Sequence, residues 1–129
     1  MNTELWQPLE PEMELLTIED VYVDDTGLII KVSANSPTKL VFKDFRCYRV
    51  GYESDFSDAL PATLSSPISV SGDTEWLRSY KHIATEYAHV ALVHTIVLDM
   101  AFVVEVISQS KPEIEIIKGT GLETVSTGV

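Results

Sequence analysis

Three histidines, one cysteine and a short run of carboxylates are the side chains in this sequence that could do chemistry. His82, His89 and His94 match no compact zinc pattern, and Cys47 stands too far along the chain to complete one. No metal is therefore expected. His94 alternates with Leu92 and Ile96, the pattern of a packed strand histidine whose ring nitrogen finds a partner. Lys43, Arg46 and Arg49 surround Cys47 in sequence and could lower its pKa. Its place inside a predicted strand favours a buried, inert thiol instead. The stretch ESDFSD puts Glu53, Asp55 and Asp58 close together. Clustered carboxylates can hold a hard cation or do paired acid–base work. This run lacks the alternating ligands and turn glycine of a calcium loop, so a solvated acidic loop is expected. Beside Tyr52 and Phe56, the same loop suits a contact surface for a basic protein.

No Gly-x-Ser-x-Gly elbow is present, and no glycine-rich loop that would cradle phosphate. The expectation is a protein with no catalytic residues and no cofactor, and hence not an enzyme.

Charge narrows the field of partners. Twenty acidic residues against nine basic ones give a net charge of −11. The excess is uneven: Glu4, Glu10, Glu12, Glu14, Glu19, Asp20, Asp24 and Asp25 precede the first basic residue, Lys31. Such a surface repels the phosphate backbone of nucleic acid and an anionic membrane alike. It attracts a basic protein, with association steered at long range and weakened by salt. The lone cysteine and the absence of an N-terminal signal pattern suit a cytoplasmic protein.

The elements that must position these residues read mostly as strands. Residues 13–23 and 28–34 flank Asp24-Asp25-Thr26-Gly27, a connection suited to a hairpin. Alternation slips around Glu19-Asp20, where a bulge would restore register. A long extended run at 38–52 follows the Asn35-Ser36-Pro37 turn. Residues 53–75 are rich in Ser, Asp, Pro and Gly and read as loop, with a short strand at 68–71. Trp76, Tyr80, Ile83, Ala84 and Tyr87 form one apolar helical stripe, with Asp73 or Thr74 as N-cap.

The segment 90–108, VALVHTIVLDMAFVVEVIS, is nearly long enough to span a bilayer. Asp99 at its centre and the wealth of β-branched residues argue against a spanning helix. The segment predicts two strands, 90–98 and 102–109, joined by a turn at Asp99-Met100-Ala101, with Pro112 beyond the second. The whole then reads as a mainly β or α+β domain over residues 1–118. It has an antiparallel sheet of about five or six strands, as a sandwich or half-barrel, and one short helix. Residues 119–129 read as a flexible tail.

Four segments in order carry a resemblance: IEDVYVDDTGLIIKV, KLVFKDFRCYRVGYESD, Trp76 in TEWLRS, and HTIVLDMAFVVEVISQSKPEIEI. Together they cover about two thirds of the chain and resemble small acidic bacterial proteins. Of the pattern typical of the last segment, His94, Ile96 or Val97, Val103, Glu105, Val106, Ile107, Ser108 and Pro112 match. Thr95, Asp99 and Ala101 depart from the usual Tyr, Thr and Asp. Such proteins look like immunity proteins of polymorphic toxin systems, including contact-dependent growth inhibition. The resemblance implies tight binding to a toxin domain and occlusion of its active site, with no catalytic residues to carry over. The function expected is neutralisation of a cognate toxin domain, most plausibly a basic nuclease. Glu53, Asp55, Phe56 and Asp58 are the first candidates for contact, and Asp24, Asp25 and Glu75 the second. The alternative is a small-molecule-binding β-barrel or sandwich, with its ligand between the sheet and the Trp76 helix.

Overall fold

The computed structural model describes residues 6–9, 13, 15–52 and 66–117. Among these residues it is mainly β, as the sequence leads one to expect, with two antiparallel sheets and one short α-helix. In chain order the elements are β1 (Gln7–Pro8), β2 (Thr17–Asp24), β3 (Gly27–Ser33), β4 (Pro37–Phe42), β5 (Phe45–Tyr52) and β6 (Ile68–Ser71). Then come α1 (Glu75–Ile83), a 3-10 turn (Thr85–Tyr87), β7 (Val93–Leu98), β8 (Phe102–Ser108) and β9 (Glu113–Ile116). One sheet runs β1-β6-β7-β8-β5 and the other β2-β3-β4-β9.

The sheets close face to face over an apolar core. Leu28, Ile30, Val32, Leu40 and Phe42 from the four-stranded sheet meet Ile68, Val97, Val104 and Val106 from the five-stranded one. Each fully buried aliphatic side chain of this set contributes roughly 1.5–3 kcal/mol of transfer free energy. A third layer lies on the outer face of the five-stranded sheet. There Leu77 of α1 packs with Leu92 and Ile107, flanked by Trp76, Tyr80, Tyr87 and Cys47. Because β7 and β8 are covered on both faces, nearly every residue in them is buried. That double cover is why their sequence is apolar without strict alternation.

Local sequence accounts for the joints. The β2–β3 hairpin turns at Asp24–Gly27, and its register shifts between Ile18 and Asp20, where the alternation of the sequence slips. Gly27 takes φ 141°, and any Cβ there would run into the Phe42 carbonyl oxygen and come within 2.9 Å of Lys43 Cα. The β7–β8 turn is organised by Asp99. Its Oδ1 accepts from the backbone N–H groups of Ala101 at 2.7 Å and Phe102 at 2.8 Å. Its Oδ2 accepts from Ile18 N–H at 3.1 Å, tying this turn to β2 in the opposite sheet. Burial pushes the Asp99 carboxyl up, but the three N–H donors outweigh it and hold it below the usual range.

The structure corrects three readings. The extended run 38–52 is two strands, because Lys43-Asp44 turns the chain and sends β5 into the other sheet. The strand predicted from residue 90 begins at Val93, since 85–87 winds into a 3-10 turn first. In the helix, Leu77 is the buried residue, while Ile83 at the end of the predicted stripe is 83% exposed. Strand β6 stands where the short strand at 68–71 is read from sequence, and Thr74 is the N-cap. Strand β9 has no counterpart in the sequence reading, and the tail 119–129 lies outside the described residues. No helix among those residues is long and apolar enough to cross a membrane.

Two stability measurements test this account. Gly27→Ala is expected to lower unfolding free energy in urea by roughly 2–4 kcal/mol, because both backbone conformation and space oppose the methyl group. Thr95 is fully buried, and its hydroxyl has no hydrogen-bond partner among the described residues. Thr95→Val is expected to stabilise by about 1 kcal/mol in the same assay.

Candidate functional site

The residues singled out by charge are spread over the molecule. Asp24 and Asp25 sit exposed in the β2–β3 turn, where Asp24 Oδ1 accepts from Thr26 N–H at 2.8 Å. Glu75 is exposed in the first turn of α1, beyond the outer face of the other sheet, so it does not join them in one site. Glu53, Asp55, Phe56 and Asp58 lie outside the described residues. Two acids not singled out for contact extend the first group: Glu19 and Asp20 are exposed on β2, an edge strand of the four-stranded sheet. Lys31, the cross-strand neighbour of Asp20, rests its ammonium 5.7 Å from the Tyr22 ring. The ion pairs among the described residues include Lys43–Glu113, Arg49–Glu105, Arg78–Asp73 and His94–Glu105, and none of these touches β2. The β2 edge and its turn therefore present four carboxylates with no ion pair among the described residues.

The densest polar chemistry lies elsewhere, on the face of the five-stranded sheet beneath α1. Glu105 on β8 is buried, with Oε1 2.7 Å from His94 Nε2 and Oε2 2.8 Å from Arg49 Nε. The strands place these three residues together. Arg49 is directly opposite Glu105 across the β5–β8 ladder, and His94, opposite Ile107, is its diagonal neighbour on β7. His94 Nδ1 lies 2.7 Å from Thr74 Oγ1, which also accepts from Leu77 N–H at 3.2 Å and so caps α1. Trp6 and Trp76 both set their rings edge-on to the imidazole at 4.9 Å, and the Arg49 guanidinium lies 4.1 Å from the Trp76 ring.

Proton positions follow from this chain. Burial pushes the Glu105 carboxyl up, yet the hydrogen bonds and charges of His94 and Arg49 prevail and hold it below the usual carboxylate range. An ionised carboxylate only accepts, so His94 Nε2 carries the proton toward it. Toward Thr74, a neutral ring accepts the hydroxyl's hydrogen bond at Nδ1 and a charged ring donates to that oxygen; either way a lone pair remains for Leu77 N–H. A hydroxyl, an imidazole and a carboxylate in series suggest a nucleophilic triad. Here all three are buried, Thr74 at 1% exposure, and the hydroxyl is committed to the helix cap. The arrangement is a polar brace that fixes α1, β5, β7 and β8 to one another.

Cys47, on β5, is half-buried, and burial pushes its thiol up more than Arg49 and Arg46 pull it down. That matches an unreactive thiol. Trp76, Tyr80 and Tyr87, expected to line any ligand cavity beneath the helix, pack on the Leu77 cluster; Arg46 lies 4.7 Å from the Tyr87 ring. No group of three or more potential metal ligands occurs among the described residues. A hollow of about 460 Å³ opens at the other end of the sandwich, between Leu15–Thr17, Ser33–Ala34 and Asp99–Phe102.

A last surface feature is apolar. Tyr48 and Val50 on β5 stand opposite Val106 and Val104, so they point to the same side as the inter-sheet core. Yet they are 41% and 50% exposed, and Tyr52 and Phe102 beyond them 59% and 40%. The five-stranded sheet overhangs its partner here. The Tyr52 and Phe102 rings stack on each other at 5.2 Å. Comparison with family models, curated proteins and solved structures gives no match for this chain.

Glu105→Gln tests the brace. Because Glu105 has a lower pKa folded than unfolded, its stabilisation is present above about pH 4.3 and is lost as pH falls through its folded value. The variant is expected to lose roughly 2–4 kcal/mol at pH 7 and to show a shallower decline of stability below pH 4.3. Urea unfolding followed at pH 7, 5 and 3.5 reads both effects.

Proposed function

We propose that this chain is an immunity-type protein that binds a basic toxin domain of the nuclease type and blocks its active site. The observation that carries the reading is the acidic edge of β2 and its turn: Glu19, Asp20, Asp24 and Asp25 exposed together, with no ion pair among the described residues. In a chain of net charge −11 this edge attracts a cationic groove of the kind that holds nucleic acid. The acids of this edge strand and its turn share the negative sign of the phosphates such a groove holds. The resemblance of the β2–β5 and β7–β9 segments to immunity proteins points the same way. The stretch holding Glu53, Asp55, Phe56 and Asp58 and the exposed Glu75 are secondary contacts in this proposal. The buried state of the Thr74–His94–Glu105 chain supports a binding role over a catalytic one.

The test starts from the gene immediately upstream, which on this proposal encodes a large secreted protein ending in a toxin domain. Co-expression should restore growth to cells poisoned by that domain, and the purified pair should bind with a Kd of about 1 nM or tighter at low salt. Changing Glu19, Asp20, Asp24 and Asp25 to Lys should weaken binding by at least ~100-fold. It should also flatten the salt dependence, because the attraction that salt screens is gone. A folded wild-type chain that neither binds the domain nor restores growth overturns the proposal. Loss of binding on reversing only Glu53, Asp55 and Asp58 would move the contact away from β2.

A further inference from the structure

A row of charge crosses all four strands of the smaller sheet on its outer face. Asp20 on β2 stands opposite Lys31 on β3, Lys31 opposite Lys39 on β4, and Lys39 opposite Glu115 on β9. Residues opposite one another in a ladder share a face. Their neighbours Ile30, Leu40 and Ile114 turn to the inter-sheet core, so this row turns away from it. Across the strands the signs run minus, plus, plus, minus. Like charges set directly opposite are unfavourable in a sheet, and the chain has only nine Lys and Arg to place. An acid faces each lysine from its other side, yet neither ammonium makes an ion pair among the described residues. Lys31 instead leans toward the Tyr22 ring, 5.7 Å away. Both lysines are half-buried, while Asp20 and Glu115 are exposed. The row leaves a positive centre between two negative ends, on a chain whose net charge is −11.

From this row we infer that Lys31 and Lys39 together seat one carboxylate of the toxin domain, which meets the outer face of the sheet as well as the β2 edge. The inference rests on the toxin-binding reading above and adds the feature that selects among basic partners. Side chains directly opposite in a sheet start about 5 Å apart at Cβ, so both ammoniums reach the same carboxylate. The partner that fits presents cations to Asp20 and Glu115 and an acid between them. A metal-dependent nuclease centre has that make-up, because carboxylates hold its metal ions inside a groove that is cationic toward phosphate. Asp20 stands both on the β2 edge and in the row, so the two surfaces are continuous. A basic protein without the central acid brings its own cations against Lys31 and Lys39 and is turned away. Net charge supplies the attraction, and the lysine pair supplies the discrimination.

Calorimetric titration of the purified toxin domain with the full-length chain and its variants reads the sign of the effect. Long-range attraction alone predicts that removing a lysine from an acidic chain leaves its affinity for a basic domain unchanged or raises it. Seating a carboxylate predicts the opposite. Lys31→Gln and Lys39→Gln should each raise Kd by at least ~10-fold, the loss of one charge-assisted contact, with circular dichroism and melting temperature close to those of the wild type. Lys81→Gln, on α1 beyond the outer face of the other sheet, should bind as the wild type does or more tightly. Unchanged or tighter binding by either Lys31→Gln or Lys39→Gln overturns the inference while the toxin-binding reading stands. So does an equal loss in Lys81→Gln. A folded wild-type chain that does not bind the domain overturns that reading, and this inference with it.

Discussion

A carboxylate buried in a sheet must be neutralised where it stands, and Glu105 imposes that demand on four elements at once. The cost of leaving such a charge unpaired is several kcal/mol, a large share of the stability of any domain this size. Arg49 answers it from β5 and His94 from β7, and His94 in turn holds the Thr74 hydroxyl that caps α1. The apolar core between the sheets brings the layers together without direction. The brace gives direction, because only one register of β5 on β8 and of β7 on β8 puts all three side chains in reach. Trp6 and Trp76 close over the imidazole and exclude water, which strengthens every charge interaction beneath them.

Much of the scaffold could be read from single residues. Asp99 interrupts an apolar run, and a charged residue there had to mark a turn or a cost. It marks the turn, with both carboxylate oxygens satisfied by backbone N–H groups. The slip of alternation at Glu19 is a real shift of register. Lys43-Asp44 escaped notice because two polar residues inside an extended run look like outward-facing positions. Nothing local says that the chain there leaves one sheet for another. Strand β9 is four residues of alternating Glu and Ile after a proline, too short to carry a pattern.

The brace was partly within reach. Once the turn is placed at 99–101, hairpin geometry sets His94 opposite Ile107 and therefore diagonal to Glu105. Arg49 lies 56 residues from Glu105, and only tertiary pairing makes them neighbours. The acidic surface was less legible still. Composition told the sign of the chain's own charge, but not that β2 would be an edge strand exposing its acids, nor that β5 would overhang the smaller sheet.

The two-residue link at Lys43-Asp44 bears on how the chain reaches this state. Consecutive strands usually pair with each other, whereas here β4 pairs with β3 and β9 while β5 pairs with β8. Thr38 meets Ile116, and Phe45 meets Ser108. The five-stranded sheet waits for β8 (Phe102–Ser108) and the four-stranded sheet for β9 (Glu113–Ile116) to leave the ribosome. Such non-local pairing places the protein among slow folders, on the scale of milliseconds to seconds. During that interval Leu40 and Phe42 await a cover that arrives only with the last strands, so synthesis rate and chaperone supply bear directly on yield.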